Sequence, residues 1–133
     1  MANVYHGRGY VYYIQYHIVW CVKYRHKIIT DKIEKRLKEI LNYIAEDNKF
    51  KILLMNTDLD HVHLLVECSP QHYIPNMIKA LKGVSARLLL KESPELKQKL
   101  WDGHLWNPSY FVATVSENTE EQIKQYILSQ KEK

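Results

Sequence analysis

Residues 60–68 read DHVHLLVEC, with His61 and His63 two positions apart inside an apolar run. The run is short, branched and apolar, and it predicts a strand. Side chains alternate across a strand, so His61, His63 and Leu65 take one face and Val62, Leu64 and Val66 the other. The apolar set can then pack on a core while both imidazoles stay on the open side. A second apolar run, FKILLMNT (50–57), precedes it, separated by DLD (58–60). Together the two predict a hairpin, with Asp58 and Asp60 suited to its turn.

The other elements follow on either side. YVYYIQYHIVW (10–20) is rich in aromatic and β-branched residues and predicts a strand. Asp31 opens an amphipathic helix in which Ile33, Leu37, Ile40, Leu41 and Ile44 recur at helical spacing, with Asp31 and Glu34 as a capping pair. A long helix is expected from about Ile74 to Lys91, with Pro75 in its first turn and Ile78, Leu81, Leu88 and Leu89 on its buried face. Gly83 lies mid-helix, where it suggests a bend or a close contact. SYFVATV (109–115) predicts a last strand, and Thr119 with Gln122 forms a capping box for a C-terminal helix. The order βαββαβ plus a helix predicts an α+β fold. It is the ferredoxin-like, RRM-like antiparallel sheet with helices on one face, its first and third strands central, followed by the C-terminal helix. No repeat, low-complexity segment or linker divides the chain, so residues 1–133 are expected to form one domain.

Of the 133 residues, 46% are hydrophobic and 26% charged, an ordinary balance for a globular protein. No apolar stretch is long enough to span a bilayer, and MANVYHGRGYVYY lacks a signal segment. A cytoplasmic protein with no membrane partner is expected. Cys21 and Cys68 match no zinc or redox spacing and read as reduced thiols in or near the core. The net charge of +4 permits a nucleic-acid partner without requiring one. Lys23, Arg25, His26 and Lys27 cluster after the first strand, and Lys79, Lys82 and Arg87 lie on the second helix. Such groups are candidates for phosphate contacts. The tyrosines of YVYYIQY read as strand residues, with base stacking as the alternative. Trp101, Trp106 and Tyr110 read as core or interface.

Two imidazoles on one strand face suit a divalent transition metal, although the spacing alone does not separate ligands from two tolerated histidines. Glu67 shares their face at the far end of the strand and is a weaker candidate. On the last helix, Ile123, Tyr126, Ile127 and Gln130 form one stripe. A glutamine on a buried stripe needs hydrogen-bond partners.

The H-hydrophobic-H strand, LKGVSAR (81–87), LWNPSYFVATV (105–115) and QYILSQ (125–130) follow in that order, with HIVWCVKYRHKII (17–29) near the start. In this the chain resembles the single-tyrosine HUH transposases of the IS200/IS605 insertion-sequence family, over about Tyr10 to Gln130. Ser116 departs from the pattern, standing where a glycine is expected. The resemblance implies that His61 and His63 bind a divalent metal, magnesium or manganese. It implies that Tyr126 is the nucleophile and that Gln130, one turn on, is the third ligand. It implies a homodimer with composite active sites, in which the tyrosine helix of one subunit can serve the histidine pair of the other. The expected substrate is single-stranded DNA with hairpins at the element's ends, cut through a 5′-phosphotyrosine. Two other functions remain open on the residues: a non-catalytic nucleic-acid-binding module, and a related HUH nicking enzyme acting on host repeats or a replication origin.

Overall fold

The computed structural model describes residues 5–7, 10–100, 102–115 and 119–130, so that Trp101 and Ser116 lie outside the described residues. A small hairpin comes first, β1 (Tyr5–Gly7) against β2 (Tyr10–Tyr12). The main sheet contains β3 (Ile14–Cys21), β4 (Lys51–Asp58), β5 (His61–Cys68) and β6 (Phe111–Thr114). Its order is β4-β5-β3-β6, and every pairing is antiparallel. The helices are α1 (Asp31–Asp47), α2 (Ile74–Glu92), α3 (Glu95–Lys99) and α4 (Thr119–Ser129). This is the expected α+β, ferredoxin-like arrangement, with β3 and β5 central.

Alternation decides the layers. Ile18, Trp20, Val62, Leu64 and Val66 are all fully buried and share one core with Ile33, Leu37, Ile40, Leu41 and Ile44 of α1 and with Met77, Ile78, Leu81 and Leu89 of α2. Their neighbours His17, Val19, His61 and His63 therefore take the opposite face. Both cysteines are free and buried. Among the described residues no helix is long and apolar enough to cross a membrane.

Several local expectations change. The expected strand over 10–20 is interrupted at Tyr13. Its register explains the break: Ile14 pairs with Cys68, the last residue of β5, so earlier residues have no partner there and β2 pairs with β1 instead. Asp31 and Glu34 do not form a capping pair. Thr30 is the N-cap and makes no side-chain cap bond, while the Glu34 carboxylate accepts the Thr57 hydroxyl. The Thr119 hydroxyl donates back to the Thr114 carbonyl, 3.2 Å away. Tyr110 is 40% exposed rather than core, with Lys82 over its ring, whereas Trp106 is buried edge-on to Trp20. Gly83 marks neither a bend nor a contact, since α2 runs through it and a Cβ there meets nothing within 4 Å. Helix α3 is too short for a periodic signal.

One connection fixes the loop ahead of β6. The Asn107 N–H donates to the Cys21 carbonyl at 2.9 Å, tying this loop to the end of β3 that pairs with His61. From α2, the Lys82 ammonium donates to the carbonyls of Asn107 and Ser109 at 2.8 and 2.9 Å. The Trp106 indole N–H donates to Ser85 of the same helix at 3.0 Å.

Two stability predictions follow from α2. Gly83→Ala fills open space and lowers backbone entropy, so it should raise unfolding stability by about 0.5–1 kcal/mol in urea titrations. Burial pushes the Lys82 ammonium from its ordinary 10.5 down to about 8. The unfolded chain holds that proton to higher pH than the folded one, so unfolding takes up a proton between these values. Wild-type stability should therefore rise with pH from about 8 to 10.5 relative to Lys82→Met, measured by urea midpoints across that window.

Candidate active site

His61 and His63 stand on the same face of β5, opposite Cys21 and Val19 of β3. The His61 Nδ1 lies 2.8 Å from Asp60 Oδ1, and the other oxygen of that carboxylate accepts from Arg25 Nε at 3.0 Å. Asp60 is thus more than a turn residue. It is 5% exposed, and its backbone carbonyl also takes the Val22 N–H at 2.8 Å. Burial would raise its pKa, but the hydrogen bonds and charge of His61 and Arg25 outweigh that and hold it below the usual carboxylate value.

Arg25 reaches Asp60 from a 3-10 turn, Lys23–Arg25, in which Tyr24 and Arg25 both have positive φ, 56° and 53°. Side-chain-bearing residues resist this region by roughly 1–2 kcal/mol each. The turn is held by the Arg25 N–H on the Val22 carbonyl at 2.7 Å and by the Lys23 N–H on the Leu105 carbonyl at 2.9 Å. Lys23 lies 5.1 Å from the centre of the Tyr24 ring.

His63 has a different neighbour. Its Nε2 is 2.8 Å from Nδ1 of His17, a buried residue of β3 that faces the same side. Burial, with the nearby His17 and His61, holds the His63 pKa below the ordinary histidine value, against the opposite pull of Glu120 from α4. Glu67, at the far end of β5, is buried and accepts from Gln15 at 3.0 Å. Among the described residues, no three His, Cys, Asp or Glu side chains converge as a metal cluster.

Helix α4 lies against β3 and β6. The Tyr126 ring is 5.7 Å from Phe111, whose partner in the sheet is Val19, so the helix covers part of the histidine face. Ile123 and Gln130 are buried on its inner stripe. The Tyr126 hydroxyl donates to Ser109 Oγ at 3.1 Å, and Gln130 Oε1 accepts from Asn107 Nδ2 at 2.6 Å. Burial raises the Tyr126 phenol above its ordinary pKa, with Ser109 opposing weakly, so the side chain is a neutral donor. Both side chains are therefore docked on the loop that Lys82 pins, at the His61 end of the sheet, and neither is bonded to an imidazole. Between them, burial and the Asp60 charge push the Cys21 thiol up to about 11, which keeps it protonated and unreactive.

The basic residues divide. Lys27 is exposed beside the turn, and Lys79 and Arg87 are exposed on α2, beyond the opposite face of the sheet. Arg25 is bound to Asp60 and Lys82 to two carbonyls. No site role attaches to His17, Asn107 or Ser109 in the sequence, and Asp60 reads there only as a turn former. His17 is legible only once β3 is registered against β5, and Asn107 and Ser109 lie in a loop with no periodic signal.

The sequence pattern of IS200-like transposases matches residues 10–130. The chain is 53% identical over 127 residues to the ISDra2 transposase TnpA of Deinococcus radiodurans, covering 96% of this chain and 91% of that protein. It is 32% identical over 118 residues to the transposase for insertion sequence element IS200 of Salmonella typhimurium, covering 89% and 77%. A crystal structure assigned as a transposase of Deinococcus radiodurans superposes with a TM-score of 0.91 at 50% identity, covering 95% of this chain and 97% of that one. A REP-associated tyrosine transposase bound to a REP hairpin has a TM-score of 0.56 at 12% identity, covering 84% and 63%, a likeness of fold.

Proposed function

The chain belongs to the IS200-like transposases, a family of enzymes of the IS200/IS605 TnpA type, and from that premise we propose that it cuts and rejoins single-stranded DNA through a covalent bond to Tyr126. Membership in an enzyme family sets aside the reading as a non-catalytic binding module. The observation that carries the proposal is the placing of Tyr126 on α4, and of Gln130 just past its end on the same stripe, over the sheet face that holds His61 and His63.

The Tyr126 oxygen attacks a phosphodiester phosphorus. A bond from oxygen to phosphorus forms as the bond to the 3′-oxygen breaks, and the leaving strand takes a proton to become a 3′-hydroxyl. The 5′-phosphotyrosine keeps the bond energy, so a second 3′-hydroxyl can displace the tyrosine and complete strand transfer without ATP. The phenol is neutral and half-buried, so its proton must pass to a base as it attacks.

The residues present fit a divalent cation, magnesium or manganese. His61 has its Nδ1 on a carboxylate, the usual arrangement of a metal-binding imidazole. His63 would supply a second nitrogen if its Nε2 left His17, and Gln130 a neutral oxygen if it left Asn107. When bound, the cation would polarise the scissile phosphate and stabilise the leaving oxygen. Because Tyr126 and Gln130 rest on Ser109 and Asn107, catalysis requires α4 to re-dock, on its own histidines or on those of a second subunit. The latter is the composite site of a homodimer.

We assign the substrate as single strands carrying a folded stem. The REP-associated transposase of the same fold holds a hairpin in its own structure. Lys23 and Lys27, at the His61 end, are the basic residues best placed for phosphates near the cleavage point, and their contribution should weaken with salt.

The test is a denaturing protein gel after mixing the protein with single strands from the DNA flanking its gene, with and without manganese. A metal-dependent shifted band is expected. Tyr126→Phe should lower adduct formation by on the order of 10³-fold or more while native-gel binding stays within about twofold. His61→Ala should also lose the adduct. Normal binding with no adduct on any strand would overturn the reading.

A further inference from the structure

We propose that Asp60 and Arg25 form a positioning pair that keeps the His61 proton on Nδ1 and leaves Nε2 for a divalent cation. This rests on the metal reading above. The chain of contacts is linear: Arg25 Nε to Asp60 Oδ2 at 3.0 Å, then Asp60 Oδ1 to His61 Nδ1 at 2.8 Å. A carboxylate is acceptor-only, so a neutral His61 must place its single proton on Nδ1 to meet it. Its Nε2 then carries the lone pair and has no hydrogen-bond partner among the described residues.

Arg25 decides which variants can imitate this. A guanidinium only donates, so whatever stands at position 60 must present an acceptor to it. With asparagine there, the carboxamide oxygen would turn to Arg25 and the NH₂ to His61. That NH₂ would donate to Nδ1 and drive the imidazole proton to Nε2, the nitrogen the cation needs. Arg25 is brought to Asp60 by consecutive left-handed residues, Tyr24 and Arg25, a backbone the fold holds against local preference. Such strain clusters where geometry serves a site. Among the described residues no carboxylate is hydrogen-bonded to His63, whose Nε2 meets His17 instead. The pair thus acts on one imidazole of the two.

The test uses the full chain without DNA. Side-chain nitrogen NMR at alkaline pH, with His61→Ala for assignment, reads which ring nitrogen of His61 carries the proton. Manganese affinity is read by electron paramagnetic resonance. Wild type should show Nδ1–H. Asp60→Asn should show Nε2–H and bind manganese about 10- to 100-fold more weakly. Asp60→Asn combined with Arg25→Met lets the carboxamide turn back, so it should restore Nδ1–H and much of the affinity. A loss that came only from general damage would not be repaired by a second substitution. Wild-type His61 found as Nε2–H would overturn the proposal, and needs no variant to fold. So would Asp60→Asn with wild-type tautomer and affinity. If His61→Ala bound manganese as tightly as wild type, the metal reading itself would fall, while the tautomers would still report on the pair.

Discussion

Period-two alternation along β5 is the constraint on which the rest of the structure depends. Val62, Leu64 and Val66 are fully buried against α1 and α2, and this alone turns His61 and His63 to the other side. Because β5 has hydrogen-bonded neighbours on both edges, β4 and β3, its register is fixed twice. A slip by one residue would drive both imidazoles into the core and three branched side chains out of it. The hydrophobic effect therefore orients the polar residues, and no polar interaction has to choose their face.

The legible and the illegible parts of the chain divide by the range of the signal. The buried stripe of α1, the hairpin of β4 and β5, and the stripe of Ile123, Tyr126 and Gln130 repeat within a few residues, and each was readable. The break at Tyr13 was not, because it depends on where β5 ends, more than fifty residues away. The pair of Asp31 and Glu34 misled for a related reason: Glu34 fits the local pattern, but Thr57 of β4 claims its carboxylate. In the candidate site, His61, His63, Tyr126 and Gln130 came from motif order. Asp60 was adjacent to the motif and was read as a turn former. Its partner Arg25 lies thirty-five positions earlier, and only the folded turn joins them. His17 meets His63 only across a registered strand pair.

The neighbours of the site have separable tasks. Asp60 and Arg25 fix one imidazole from behind, His17 occupies the other, and the loop at Asn107 and Ser109 holds the side chains of α4. Lys82 links that loop to α2, on the far layer of the molecule.

Helix α4 also has a consequence for how the molecule opens. The histidine strand lies inside a ladder paired on both sides, whereas α4 is held by Ile123, a few side-chain hydrogen bonds and the ring of Tyr126, with Leu128 62% exposed. Amides of β5 exchange with solvent only when the sheet comes apart, while those of α4 exchange through a smaller, local unfolding of lower free energy. The two halves of the candidate site thus belong to different cooperative units. The tyrosine helix can leave its seat at a cost well below global unfolding, while the histidines stay in place.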